Sequence, residues 1–410
     1  MKSRFDKRGS METNERLHAL DALRAFALFL GIYFHASLSY MPGLEEWVVT
    51  DTSTGPIIWL LSGFSHLFRM SLFFFIAGYF ARLVYHRKGF GYFVRDRARR
   101  IALPLLMFLP VMLWLLGLIW AWGAQQMGRP IPDPASLSVR NFPLTHLWFL
   151  YYLLLMYAAA LAGRELVVKL LDRSERIRQF LDRALLALLK RRVAPFAFGL
   201  PLAIVALAVP EWNPATGIVS PDKSLVPQLI PMVGFGSAFV VGWLCQRSIA
   251  TLTTMAERTT ASLWITLACF VITAAFGFTI GKGAVPAQWL PAARFGAGLA
   301  TALTLWYWNL FLVGFALKRL SAPSSLRRYW ADSSYWLYIA HLPLVTALQV
   351  IALQVHWHWS IELTLILAIS TGLLLLSYKL FVRSTWLGAI LNGARRPPLG
   401  LEQSVAKATA

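Results

Sequence analysis

The chain has 410 residues, of which 57% are hydrophobic and 14% are charged, and its mean hydropathy is +0.57. Soluble domains carry about 25% charged residues, so this composition argues against a soluble protein and for a chain largely embedded in lipid. The net charge of +20 does not indicate nucleic-acid binding. Most lysines and arginines fall in six clusters beside apolar stretches, as expected for cytoplasmic loops of membrane proteins. The two cysteines, Cys245 and Cys269, lack the spacing of a disulfide framework or a metal site.

Ten apolar segments are long enough to cross a hydrocarbon core of about 30 Å. They are Leu20–Tyr40, Phe64–Tyr85, Ile101–Trp122, His146–Ala162, Ala194–Val209, Gln228–Leu244, Ala261–Gly281, Arg294–Leu317, Ser334–Leu353 and Ile361–Phe381. With this count, all six basic clusters and both termini lie on one face, which the positive-inside rule assigns to the cytoplasm. The sequence therefore predicts an all-α polytopic membrane protein, a single bundle of about ten transmembrane helices with both termini cytoplasmic.

No internal repeat divides the chain, so we expect one transmembrane domain over residues 20–385. A basic cytoplasmic arm, residues 1–19, precedes this domain, and a cytoplasmic tail, residues 386–410, follows it. Residues 164–192 predict an amphipathic helix on the cytoplasmic lipid surface, because apolar residues recur among basic ones. Pro56 suits the first position of a helix and indicates that the second helix begins ahead of its apolar segment.

Ionisable residues in a membrane span are costly and point to function by default. In the first segment, Asp21, Arg24, Gly31 and His35 share one helical face, and Arg24 and His35 are about 16 Å apart along the axis. Gly31 would let a second helix or a ligand approach closely. The alternative is an interfacial ion pair between Asp21 and Arg24, with His35 hydrogen-bonded inside the bundle.

The second segment and the stretch that follows it add four more charged or titratable residues. His66 and Arg69 are three residues apart and so share a helical face. Arg97 and Arg100 are neighbours at the cytoplasmic end, where two guanidinium groups suit phosphate. Each pair has a plainer interpretation: Arg69 could extend to the headgroups, and Arg97 and Arg100 could be positive-inside anchors.

Two later segments place polar side chains where lipid is expected. His146 and Trp148 open the fourth segment at the outer interface, where tryptophan is common and histidine is not. Ser334, Tyr338 and His341 lie within about 60° of one another on the ninth. Hydrogen bonding between helices is the alternative for this second set.

Three of these motifs resemble the acyltransferase-3 family of integral membrane acyltransferases. Leu20–Phe26 followed by His35 is similar to the family's opening Arg and His motif, and Arg97–Pro104 is similar to its Arg-x-x-Arg motif. Ser334–Pro343 is similar to its late Ser-Tyr-x-x-Tyr-x-x-His segment. The three motifs occur in the expected order across nearly the whole bundle. The resemblance implies a membrane-embedded acyltransferase.

Within that family, Phe64–Phe80 and Thr145–Leu150 resemble a group of osmoregulated periplasmic glucan succinyltransferases. This resemblance implies an enzyme of the bacterial inner membrane that transfers a succinyl group from cytoplasmic succinyl-CoA, or another acyl-CoA, to a periplasmic glucan. We expect no permanently bound cofactor, and no metal is needed, because the histidines lie on separate helices without carboxylates at ligand spacing. The expected partners are acyl-CoA, the glucan, the lipid bilayer and other glucan-synthesis proteins, while homo-oligomerisation stays open and nucleic acid is not expected.

The expected roles of the site residues follow from combining the resemblance with their position. We expect catalysis by His35, either as a general base or as an acyl-carrying nucleophile, with Arg69 or His66 stabilising negative charge. The residues expected to bind the donor are Asp21, Arg24, Arg97 and Arg100; those expected to bind the acceptor are His146 and Trp148; and those expected to support the site are Ser334, Tyr338 and His341. Two alternatives remain, an O-acetyltransferase of another cell-surface polysaccharide and a secondary transporter of a small anionic solute.

Overall fold

The computed structural model of the protein describes residues 2–44, 46–131, 137–172, 174–257 and 259–393. Within these ranges the chain is helical, with no β-strand and only an isolated bridge between Ser138 and Asn141. The α-helices of the described ranges are α1 (Lys2–Ser37), α2 (Pro56–Arg97), α3 (Leu103–Gln126), α4 (Trp148–Leu166), α5 (Arg176–Lys190), α6 (Ala194–Ala208), α7 (Leu229–Cys245), α8 (Ile249–Glu257), α9 (Thr259–Gly281), α10 (Leu290–Arg319), α11 (Ser325–Ala352), α12 (Trp359–Ser377) and α13 (Trp386–Asn392). The all-α class expected from the sequence is confirmed.

Six helical segments in the described ranges are long and apolar enough to cross a membrane. They are His18–Tyr40, Pro56–Gln126, Thr260–Gly281, Ala287–Arg319, Ser325–Ala352 and Trp359–Val382. Two bent helix pairs, α5 with α6 at 104° and α7 with α8 at 110°, raise the number to eight if each pair counts as one span. The protein is therefore a multi-pass helical membrane protein. The count of ten and the side on which the termini lie stay predictions.

The segment Pro56–Gln126 has 71 residues, and a straight helix of that length would measure about 100 Å, roughly three times a hydrocarbon core. It is not straight: Gly89 has φ 80° and ψ 174°, which is not helical, and the turn Ala98–Ala102 is π-helical. α2 begins at Pro56, as the sequence predicted, because the fixed φ of proline and its missing N–H suit the first helical turn.

The predicted amphipathic helix over residues 164–192 is correct only in its second half. The first residues instead extend α4 to Leu166, and a π-helical turn follows. The break lies at Asp172, whose carboxylate accepts hydrogen bonds from the backbone N–H groups of Ile177 and Arg178 at 3.0 and 2.8 Å. These bonds satisfy N–H groups that the first turn of a helix leaves unpaired. The amphipathic helix is therefore α5 alone, and it carries the exposed Phe180.

At the two ends of the chain, α1 already begins at Lys2, so the backbone of the predicted N-terminal arm is helical and continuous with the first span. At the other end, the short helix α13 follows the last span, and residues 394–410 of the predicted tail lie outside the described residues.

Two glycines allow the backbones of α2 and α7 to approach closely. A Cβ at Gly78 of α2 would overlap the carbonyl oxygen of Phe239 of α7, and one at Gly242 of α7 would overlap the carbonyl oxygen of Phe75 of α2. Small residues allow membrane helices to approach backbone to backbone in this way. α10 is largely buried among its neighbours, whereas α9 exposes most of its apolar surface. We interpret α9 as a lipid-facing helix.

Candidate active site

A cavity of about 310 Å³ lies inside the bundle, with walls from α1, α2, α4 and α11. At one end, here called the basic end, the walls carry Arg24, Arg97 and Arg100, and Leu391 and Asn392 of α13 close it. The other end, the histidine end, carries His35, His146 and His341, and the wall between the two ends is mostly apolar and aromatic. The volume of the whole cavity lies at the lower end of the range found for small-molecule binding sites.

Most residues singled out in the sequence lie on this one cavity, although they come from helices far apart in the chain. Those that line it are Arg24, His35, Arg69, Arg97, Arg100, His146, Trp148, Ser334, Tyr338 and His341. Asp21 and His66 do not line it. The structure brings the predicted residues together, but their individual roles stay predictions.

The hydrogen bonds at the histidine end fix the protonation of the neutral His35 ring. His341 Nδ1 lies 2.8 Å from the carbonyl oxygen of Tyr338 and 3.2 Å from that of Leu337, so this nitrogen carries the proton. In the neutral His341 ring, Nε2 is then an acceptor, and it lies 2.8 Å from His35 Nδ1. His35 Nδ1 must therefore donate, which leaves a free lone pair on His35 Nε2. His35 is partly exposed to the cavity.

The third imidazole at the histidine end belongs to His146, and it is also hydrogen-bonded within the protein. Its Nε2 lies 2.9 Å from the carbonyl oxygen of Ile339, and its own carbonyl oxygen accepts a hydrogen bond of 2.7 Å from Tyr338. The ring centroids of His146 and His341 are 5.1 Å apart, yet each of these rings is committed to backbone carbonyls. Among the described residues, no group of three His, Cys, Asp or Glu side chains is arranged to hold a metal ion.

Arg69 brings a buried positive charge to the same cavity. It is 4% exposed, donates to the carbonyl oxygen of Leu30 at 3.2 Å, and lies with its Cζ 4.5 Å from the ring centre of Phe34. No carboxylate of the described residues forms an ion pair with it. A buried charge without a counter-ion is costly inside a membrane protein. An anion bound in the cavity would offset that cost.

His66 lies behind this layer and not on the cavity wall. The His66 ring stacks on the ring of Phe34, which also contacts Arg69. The centroids of the His66 and Phe34 rings are 5.0 Å apart, and their planes are within 18° of parallel. Its Nδ1 is buried and has no hydrogen-bond partner among the described residues. His66 can therefore influence the cavity through Phe34, but it does not contact the cavity directly.

The basic end is built around the carboxylate of Asp96, which sequence reasoning did not single out. Asp96 forms ion pairs with Arg97 at 3.4 Å and with Arg100 at 3.7 Å. Arg97 lies between the rings of Phe93 and Tyr157, with its Cζ about 5 Å from each, and its buried Nε finds no hydrogen-bond partner in the part of the chain that the structure describes. Two guanidinium groups share one carboxylate, so the end keeps a net positive charge.

Arg100 and Arg24 hold the other side of the basic end. Arg100 Nε donates a hydrogen bond of 3.3 Å to the carbonyl oxygen of Leu391. The carbonyl oxygen of Arg100 accepts a hydrogen bond of 2.6 Å from the Tyr335 hydroxyl. Arg24 pairs with Asp21 at 3.2 Å and donates to the carbonyl oxygen of Ala331. The ion pair considered from the sequence is therefore present, yet Arg24 still lines the cavity.

His146 and Trp148 are buried inside the bundle, whereas the sequence predicted that they lie at the outer membrane interface. His146 is 7% and Trp148 5% exposed, and the Trp148 ring is stacked on Phe235 with centroids 5.5 Å apart. Ser334 directs its hydroxyl to its own helix, at 2.8 Å from the carbonyl oxygen of Ala331. All three line the cavity from within the bundle, where α4 packs against α2 and α7, and α11 packs against α1 and α3.

Two further residues at His35 were missed by sequence reasoning. The side-chain amide of Gln349 donates hydrogen bonds to the carbonyl oxygens of His35 and Ala36 at 2.9 and 3.0 Å. Its amide oxygen accepts a hydrogen bond of 3.0 Å from the indole N–H of Trp47. Gln349 could have been noticed as a polar residue inside the ninth predicted segment. Nothing in the sequence distinguished Trp47 from the many other aromatic residues.

Comparison with known proteins places this geometry in context. A family described as an acyltransferase domain matches residues 17–381. Proteins named glucans biosynthesis protein C are similar to the chain: that of Shigella dysenteriae is 24% identical over 350 residues, covering 80% of this chain and 82% of its own. Those of Salmonella typhi and Escherichia coli K12 are 25% and 23% identical, each over 344 residues with the same coverage of both chains. No solved structure matches the chain.

Proposed function

The chain belongs to the acyltransferase domain family, and we propose that it moves a succinyl group from cytoplasmic succinyl-CoA to hydroxyls of a periplasmic glucan. The observation that carries this proposal is the single cavity that joins a basic end to a histidine with a free lone pair. The glucan follows from the names of the similar proteins. The succinyl donor follows from the resemblance of Phe64–Phe80 and Thr145–Leu150 and from the unpaired cation Arg69.

The proposed two-sided reaction needs the cavity to be reached from both faces of the bacterial inner membrane. We propose ten spans, with both termini and α5 in the cytoplasm. This count takes Pro56–Gln126 as two spans and α4, α6 and α7 as one span each. Supporting it are the length of Pro56–Gln126 and the non-helical Gly89. The basic end then faces the cytoplasm, as the positive-inside rule requires.

In the proposed mechanism the phosphate groups of the donor bind at the basic end. Arg97 has a buried Nε without a partner and would gain a charge-assisted hydrogen bond to phosphate. Arg100 and Arg24 add positive charge, and Asp21 orients Arg24 through their ion pair. The pantetheine arm would then run along the apolar wall, since Arg24 and His35 are about 16 Å apart along α1. The thioester arrives beside His35.

His35 Nε2 is the proposed general base. It takes the proton of the acceptor hydroxyl, whose oxygen attacks the thioester carbonyl carbon. The C–S bond breaks as the ester forms, and the coenzyme A thiolate takes the proton from the imidazolium. A two-step route through an acyl group on His35 Nε2 uses the same geometry. Arg69 stabilises the oxyanion or binds the free carboxylate of the succinyl group, and His66 supports Arg69 through Phe34.

His146 and Trp148 are the proposed contacts for the acceptor, and Ser334, Tyr338 and His341 are the proposed supports. Tyr338 holds the backbone of His146, and His341 holds His35 Nδ1. The proposed reaction requires no permanently bound cofactor, since donor, acceptor and side chains supply every atom that moves. Other glucan-synthesis proteins are proposed partners that deliver the acceptor.

The test is mass spectrometry of periplasmic glucans from cells that lack the gene and carry either the wild type or His35→Ala. We expect the added mass of one succinyl group per modification with the wild type and none with His35→Ala at equal membrane abundance. An added acetyl mass would correct the donor, and modified glucan from His35→Ala cells would refute the mechanism. Uptake of labelled succinate into proteoliposomes without acyl transfer would favour a transporter instead.

A further inference from the structure

The side chain of Trp47, which lies outside the cavity lining, stacks on the ring of His35. The two rings are parallel within 4°, and their centroids are 6.3 Å apart, within the range of aromatic stacking. Trp47 is partly exposed, and neither it nor its neighbours in residues 46–55 line the cavity. His35 thus contacts both the donor cavity and an aromatic cover.

Gln349 ties this cover to the helix that carries His35. Its amide N–H groups donate to the carbonyl oxygens of His35 and Ala36, two acceptors that the C-terminal turn of α1 leaves unpaired. Its amide oxygen accepts the indole N–H of Trp47. Gln349 is 1% exposed, so one buried amide links the backbone at His35 to the indole above its ring.

The backbone that bears Trp47 is fixed more firmly than its side chain. Val48 and Val49 are buried, and Val48 packs directly on Gly123. Arg129 donates to the carbonyl oxygen of Trp47 at 3.3 Å. The indole itself has the hydrogen bond to Gln349 and an edge contact with Trp120 at 5.7 Å. Release of the indole by side-chain rotation breaks this hydrogen bond and this edge contact.

We propose that Trp47 is a side-chain gate that keeps water away from His35 until an acceptor hydroxyl takes its place. This inference rests on the proposed function. His35 Nε2 can deprotonate water as well as a sugar hydroxyl. Water attack on the thioester carbonyl breaks the same C–S bond and yields free carboxylic acid and the coenzyme A thiol. An acyltransferase that holds its donor beside a base needs such a cover, because excluding water prevents this side reaction.

The experiment compares the two reactions in purified full-length protein with succinyl-CoA as the probe. Thiol release without acceptor is followed with a chromogenic disulfide; both cysteines of the chain are buried, which keeps the background low. We expect Trp47→Ala to release thiol roughly ten-fold faster than the wild type. Trp47→Phe keeps an aromatic cover but loses the bond to Gln349, and a roughly five-fold increase matches the loss of one neutral hydrogen bond. Trp264→Ala is the matched control, since Trp264 is 67% exposed on α9.

The result that overturns the gate is wild-type thiol release by Trp47→Ala in protein that still binds succinyl-CoA and still modifies glucan. If Trp47→Ala no longer binds the donor in calorimetry, Trp47→Phe decides in its place by the same criterion. Failure of the proposed function looks different, because the wild type itself would then transfer no succinyl group to glucan.

Discussion

In the proposed mechanism His341 positions His35, and removing His341 tests the proposed base most directly. His341→Ala deletes the acceptor of His35 Nδ1–H and leaves that donor buried and unpaired. An unsatisfied buried donor costs about 1–3 kcal/mol. This cost destabilises the His35 tautomer that has its proton on Nδ1 and a free lone pair on Nε2. Because that tautomer is the proposed base, we expect kcat to drop roughly five- to hundred-fold. The affinity for succinyl-CoA should hardly change, because the arginines lie at the other end of the cavity.

His341→Gln sharpens the test, since an amide oxygen can replace the imidazole Nε2 as the acceptor and should restore part of kcat. The assay is succinyl transfer to purified glucan with kcat and KM measured separately, and the binding of donor is checked by calorimetry. His358→Ala is the matched control, because His358 is exposed in the loop before α12. A wild-type kcat in His341→Ala would refute the assignment of the base to His35 Nε2 through this hydrogen bond.

Three further predictions address the basic end, the packing and the topology. Arg97→Ala should weaken succinyl-CoA binding, measured by calorimetry, by about 1.5–3 kcal/mol. Arg97→Lys should recover only part of that binding free energy, because lysine keeps the charge but lacks the planar guanidinium fork. Unchanged affinity would show that Arg97 only anchors the helix at the cytoplasmic membrane surface. Gly242→Ala should destabilise the detergent-solubilised protein by about 1–3 kcal/mol in thermal unfolding, whereas Gly236→Ala, with open space around it, should not; equal melting of both would contradict the close contact with Phe75. A reporter after Gly393 should read cytoplasmic, and one at Asp133, outside the described residues, should read periplasmic; a cytoplasmic signal at Asp133 would mean a miscounted span.

The bent helices explain why the span count from the sequence and from the structure differ. Hydropathy measures whether a segment prefers lipid, but not where a helix breaks. α5 meets α6 at 104°, and Pro56–Gln126 is one helical segment whose non-helical Gly89 lies in the basic stretch between two spans predicted from the sequence. The amphipathic helix was likewise predicted too long, because the cap formed by Asp172 depends on a side-chain hydrogen bond and not on apolar periodicity.

The amino-acid sequence was sufficient to predict the all-α class, the start of α2 at Pro56 and a set of polar residues inside apolar segments. These inferences succeeded because solvation cost is local: a charge in an apolar segment is expensive whatever its neighbours are. It also identified, by resemblance, the family to which the chain belongs.

Which of those residues meet became visible in the folded protein. His35 and His341 are 306 residues apart, and their hydrogen bond selects the nitrogen that stays free. His66 looked equivalent to Arg69 on one helical face, yet Phe34 separates it from the cavity. Trp47 and Gln349 gave almost no signal, because a contact between distant segments leaves no periodicity in either one. Long-range packing sets these contacts, and local preferences along the chain do not encode it.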